Sequence, residues 1–259
     1  MLLTKVKVKM KRIFLLLLLI VPPLVASSNS LDIDDITYYT ENYPPANYIE
    51  NGELKGISID TIKAVWKHLN KPEQDILIVP WARGYRFTLE KANSALFTMS
   101  RTPAREHLFK WIGPLFNSTH VLIAKKSKNY DFTTLGQVFY HSVVAIEGDI
   151  SEISLLQVGF PAYNMAKVAE AKQGFLMMQS DRVDMIALSI HGFYHIAKEL
   201  NFDPNEYEQV WKINKIGNYI AFNKKTPESL IKTFQQAFDE IEPERIKIKQ
   251  RYELPIEEY

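Results

Sequence analysis

Residues 98–114 read Thr-Met-Ser-Arg-Thr-Pro-Ala-Arg-Glu-His-Leu-Phe-Lys-Trp-Ile-Gly-Pro. The apolar run before them, Ala95-Leu96-Phe97, has the character of a buried strand. Thr102-Pro103 then reads as a helix start, with Thr as the N-cap and Pro at the first helical position. Arg105 falls in the first turn. Strand-end hydroxyls at Thr98 and Ser100, a helix N-terminus and a guanidinium together make an anion site, because free N–H groups and the helix dipole favour negative charge. A planar guanidinium matches a carboxylate with two parallel hydrogen bonds. Two readings fit. Thr98, Ser100 and Arg105 hold the carboxylate of a small ligand, or the helix is simply capped and its Arg pairs with a surface acid.

N-terminal to this stretch, residues 36–40 have the β-branched and aromatic content of a first strand. Tyr43-Pro44-Pro45 must lie in a loop at its C-terminal end, because two prolines stop helix and sheet alike. In open α/β sheets that edge is where ligands bind. Tyr43 there can stack on a ligand or serve as a packing lid. Residues 57–69 are apolar at helical spacing, which makes Trp66 core, with Asp60 as the expected cap. A short strand over 76–79 leads to Trp81 and Arg83. These either line a cleft on the same edge or, for Trp81, pack under a helix over 84–91.

C-terminal to the stretch, Gly113-Pro114 is expected to break the run, with a new strand over 119–124 and a solvated charge run over 125–129. The βα alternation then restarts: strands over 143–146, 162–168, 183–188 and 207–213, with helices over 152–158, 170–179 and 192–200 between them. Gly148 and Asp149 lie in a turn that opens a helix. That makes a second possible cradle, although any βα turn looks the same. Ser189 follows the 183–188 strand. A strand over 217–222, a second Thr-Pro helix start at Thr226-Pro227 and a helical tail from Pro243 complete the chain. The double alternation predicts two α/β lobes, one of residues 31–120 plus 222–259 and one of 121–221.

The chain has 259 residues and no cysteine, which excludes disulfides and thiolate metal sites. Residues 1–26 carry five basic residues and no acid, then an apolar run, Pro22-Pro23 and a small-residue stretch. That is the layout of a secretory signal peptide cleaved near Ala26 to Ser28, and Met10 is an alternative start. The apolar run is too short to span a bilayer. Without the leader, 26 basic and 30 acidic residues remain, a formal charge of −4. An exported, mildly acidic chain without a basic patch is a poor candidate for nucleic-acid binding. No cofactor motif stands out. His191 and His195 are four apart on a helix, without a nearby third ligand for zinc.

Tyr43-Pro44-Pro45, the stretch from Gly52 to Asp60, Ser100-Arg101-Thr102-Pro103-Ala104-Arg105-Glu106 and Arg182-Val183-Asp184 together resemble the periplasmic solute-binding proteins of family 3, the polar amino-acid binders of ABC importers. The similarity runs from about Ile36 to Tyr252. It implies a two-lobed type II periplasmic-binding fold, a hinge of two crossing strands, and a ligand between the lobes. It further implies that Arg105, helped by Thr98 and Ser100, clamps a ligand carboxylate. Tyr43 falls where such proteins stack an aromatic, and Gly148 where lobe two offers backbone donors. One departure stands out: the position that usually carries an acid for the ligand's ammonium is Ser189, while Asp184 lies at that strand's start and looks structural. Asp149 or Glu147 could substitute, or the ligand has no ammonium.

The expected role is therefore a monomeric periplasmic protein that captures a small carboxylate-bearing ligand for an inner-membrane ABC permease. Two other roles share the fold. One is an enzyme resembling cyclohexadienyl dehydratases, with Glu41 or Glu147 as acid or base. The other is a sensor whose closed lobes are read by a membrane receptor.

Overall fold

A computed structural model describes residues 32–254. The leader and its cleavage site lie outside the described residues. Among those described, no helix is long and apolar enough to cross a membrane. In chain order the strands are β1 (Thr37–Thr40), β2 (Tyr48–Glu50), β3 (Glu53–Lys55), β4 (Ile76–Ile78), β5 (Ser94–Ser100), β6 (Phe109–Lys125), β7 (Val143–Ile146), β8 (Met165–Val168), β9 (Met185–Ser189) and β10 (Tyr207–Asn223). The helices are α1 (Ile57–His68), α2 (Trp81–Glu90), α3 (Pro103–Glu106), α4 (Leu135–Val138), α5 (Ile150–Gln157), α6 (Ala171–Gln179), α7 (Ile190–Glu199), α8 (Glu228–Glu240) and α9 (Glu242–Arg251).

Eight strands form one sheet in the order β4-β1-β5-β10-β6-β9-β7-β8. β6 and β10 are its spine, antiparallel to each other from Tyr207 opposite Lys125 to Asn223 opposite Phe109. One end of β10 (Asn218 to Phe222) pairs with β5, which leads through parallel neighbours to β1 and β4. The far end of β6 (His120 to Ala124) pairs with β9, which leads through parallel neighbours to β7 and β8. Two βα halves thus hang on two crossing strands. The parallel strands read as continuous apolar runs because helices cover both faces: β5, β7 and β9 are buried at every position.

The break expected at Gly113-Pro114 does not occur. β6 runs through it, with Gly113 at φ +136° and a cis bond to Pro114. The two strands expected over 207–213 and 217–222 are likewise one. Bulges between Gln209 and Trp211, Lys212 and Asn214, and Asn218 and Ile220 absorb the irregularity. A long ladder with a partner strand outweighs a local turn signal, and that partner is a hundred residues away in sequence.

Three smaller expectations also change. α2 begins at Trp81, capped by Pro80, rather than at 84. Residues 162–164 form a single 3-10 turn ahead of β8. Asp60 does not cap α1. Gly56 occupies the N-cap, at φ +127°, where a Cβ would stand 2.2 Å from the Ala46 carbonyl oxygen. Asp60 instead accepts from Arg251 (2.9 Å) and Tyr252 (3.0 Å), tying α9 to α1. Trp66 is fully buried, edge-on to Tyr38 at 5.0 Å, as its helical spacing requires.

Candidate functional site

The Thr-Pro helix start forms as its residues dictate. Thr102 is the N-cap, its hydroxyl accepting from Arg105 N–H at 3.3 Å, and Pro103 opens α3. The helix is only four residues long, so its dipole contributes little, and the charge of Arg105 dominates. That side chain is 5% exposed. Its guanidinium donates to the Ser100 carbonyl at 3.2 Å and the Gly148 carbonyl at 3.1 Å. It lies 5.4 Å from the ring centres of both Trp81 and Tyr85, which flank it as cation–π partners. Desolvation pulls its pKa down, partly offset by Tyr85 and by the charge of Asp149. No Asp or Glu among the described residues forms an ion pair with it.

Arg105 opens into a cavity of about 710 Å³. Trp81 and Tyr85, one turn apart on α2, form one wall, and Thr102 to Arg105 another. The third comes from Gly148 and from Ile150 and Ile153 of α5, and the fourth from Asn214, Lys215 and Ile216 of β10. The size lies within the usual ~300–1,000 Å³ for small-molecule sites. Gly148, at φ +74°, presents its carbonyl to Arg105 and, at 2.9 Å, to the Trp81 indole N–H. Its own N–H is taken by the Glu152 carboxylate, which also pairs with Lys167.

Of the residues singled out in the sequence, Arg105, Trp81 and Gly148 meet at this cavity. Ser100 does not line it: its carbonyl accepts from Arg105, and its hydroxyl donates to Asn218 (3.4 Å). Thr98 adopts φ +61°, and its hydroxyl joins Asn47 and, at 2.7 Å, Ser58. Tyr43 is 6% exposed and packs in the core, its hydroxyl 3.4 Å from His120 Nε2. Asp149 caps α5 through Ser151 N–H at 3.2 Å. Ser189 caps α7 through Gly192 N–H at 3.2 Å. Arg83 is exposed on α2. His195 packs edge-on against Tyr48 at 4.7 Å.

Sequence reasoning missed Tyr85 and the β10 segment. Tyr85 was findable: once α2 starts at Trp81, it is the i+4 neighbour. Asn214 to Ile216 carry no local signal, because they reach the cavity only by strand pairing.

No curated relative matches the chain by sequence. Solved structures match it in fold. A histidine kinase sensor domain with similarity to periplasmic binding proteins superposes at TM-score 0.75, with 13% identity over 85% of this chain and 97% of that one. An ancestral arginine-binding protein bound to glutamine gives 0.74, at 19% identity over 86% and 100%. An ABC uptake transporter substrate-binding protein from Streptococcus pneumoniae with bound histidine gives 0.74, at 15% over 84% and 92%. The architecture is the α/β, two-lobed fold of the periplasmic binding proteins. Residues 36–253 match the family model for these proteins, and the chain therefore belongs to the bacterial extracellular solute-binding proteins, family 3.

Proposed function

We propose that this protein captures a small carboxylate-bearing ligand in the periplasm, as a monomer, and delivers it to an ABC permease of the inner membrane. The observation that supports this is Arg105: a guanidinium almost withdrawn from water, facing a cavity, held by carbonyl oxygens and by the Trp81 and Tyr85 side chains, with no ion-paired acid among the described residues. Burying a cation without an anion is costly, and an arriving carboxylate relieves that cost. Two carbonyls use two of the five guanidinium N–H donors, which leaves capacity for a ligand.

The lobes in this reading are residues 31–120 plus 222–259, and 121–221. Trp81 and Arg105 both donate to the Gly148 carbonyl, so two side chains of the first lobe grip a backbone atom of the second. Ligand docks on lobe one and the second lobe closes over it by hinge motion along β6 and β10. The role is binding rather than catalysis. Of the two candidate acids of an enzymatic reading, Glu41 lines a separate cavity of about 180 Å³ with Glu170, and Glu147 is exposed at the end of β7.

Arg105→Ala should abolish the rise in melting temperature that ligand gives the wild-type protein, and Arg105→Lys should retain a fraction of it. An unchanged shift in the Ala variant removes the assignment. The fold likeness to a histidine kinase sensor domain favours one second reading, in which a membrane receptor recognises the closed lobes. Crosslinking in intact cells, followed by identification of the captured membrane partner, separates permease from receptor.

A further inference from the structure

The charge distribution around Arg105 points beyond "carboxylate" to a narrower class. The residues that line the cavity include Arg105 and Lys215 but no Asp or Glu. The nearest acids are committed elsewhere. Asp149, whose charge acts on Arg105 from outside the lining, caps α5, and Glu152 is held by the Gly148 N–H and Lys167. The Gly148 carbonyl, the acceptor closest to the guanidinium, already takes two donors. Glu41 belongs to the other cavity, where desolvation, and then repulsion from Asp149, push its carboxyl well above the usual range and favour the neutral form. The rest of the wall is mostly apolar, from the Trp81 and Tyr85 rings with Ile150, Ile153 and Ile216, and its polar members Thr102, Ser154, Gln157 and Asn214 are all uncharged.

We propose that the cavity takes an organic acid with an apolar, branched or aromatic body and no ammonium group, and that it discriminates against the matching α-amino acid. This rests on the carboxylate reading and sharpens it. A carboxylate placed on Arg105 leaves its α-substituent close to the same guanidinium. A hydrogen or carbonyl there costs nothing electrostatically. An ammonium there is buried beside a like charge, with no acid in the cavity lining to pair it.

The test is a matched panel on the full-length mature protein, read by thermal shift and then calorimetry: hydrocinnamate, L-phenylalanine and hydrocinnamamide, with isocaproate, L-leucine and isocaproamide. At least one acid should bind about tenfold or more tighter than its amino-acid partner and its amide, and Arg105→Gln should remove that binding. An amino acid that binds as tightly as its acid overturns the discrimination while leaving the carboxylate reading intact. An amide that binds as tightly as its acid overturns both. Mass spectrometry of small molecules released by denaturing the purified protein decides the case in which none of the six shifts the transition. A released acid without an amine supports the class. A released amino acid overturns it alone. A released compound without a carboxylate overturns the carboxylate reading as well.

Discussion

Lys249 is 6% exposed on α9, and burial, reinforced by the charge of Arg245 and opposed by Glu242, pushes its pKa down to about 8. The unfolded chain holds that proton up to about 10.4. Between those values the unfolded state binds more protons, so this group's contribution to stability rises with pH. Lys249→Met should therefore stabilise the protein by about 1–2 kcal/mol at pH 7, less than the full shift implies because solvent screens part of it. The advantage should shrink towards zero by about pH 10. Thermal melts of both proteins across that range check it, and a constant difference would show that packing rather than charge is at work. Thr98 raises a different point at the same scale. A β-branched residue at φ +61° is strained, and such strain persists only where the surroundings over-determine it. Here Asn47 and Ser58 hold the hydroxyl. The residue type was legible in the sequence as a candidate, but the backbone that redirects its hydroxyl was not.

At the scale of elements, Asp184 joins β9 to the start of β7. Its carboxylate accepts from Ser142 N–H (2.9 Å) and hydroxyl (2.7 Å) and from Tyr130 (3.0 Å). Burial alone would raise its pKa, but these donors outweigh it and hold the carboxyl below the usual range. Asp184→Ala should cost about 1–2 kcal/mol in urea melts at neutral pH. A depressed carboxyl stabilises above its unfolded value of about 3.9, and that contribution fades as pH falls through the folded one. The difference between wild type and variant should thus disappear in acid. Should it persist there unchanged, ionisation plays no part. The sequence placed Asp184 at a strand start and marked it structural. It could not show which strand the acid tethers, because Ser142 is forty-two residues away.

For the molecule as a whole, closure is the measurable event. Small-angle scattering should show a smaller radius of gyration for ligand-saturated protein than for ligand-free protein, and Arg105→Ala should not contract on addition of the same ligand. Equal radii in both states would rule out a hinge. The sequence by itself determined the class of the fold: βα alternation repeated, Trp66 in the core, the Thr102–Pro103 helix start, and Arg105 as the cation to watch. Those features depend on periodicity and capping, which act within a few residues. Tertiary structure alone decided the rest. It ran β6 straight through Gly113-Pro114, merged two expected strands into β10, turned Tyr43 into core, and brought Gly148 and residues 214–216 to Arg105. Each of these depends on a partner far along the chain, and the free energy of a long ladder or a buried cation is set by that partner, not by the local residues.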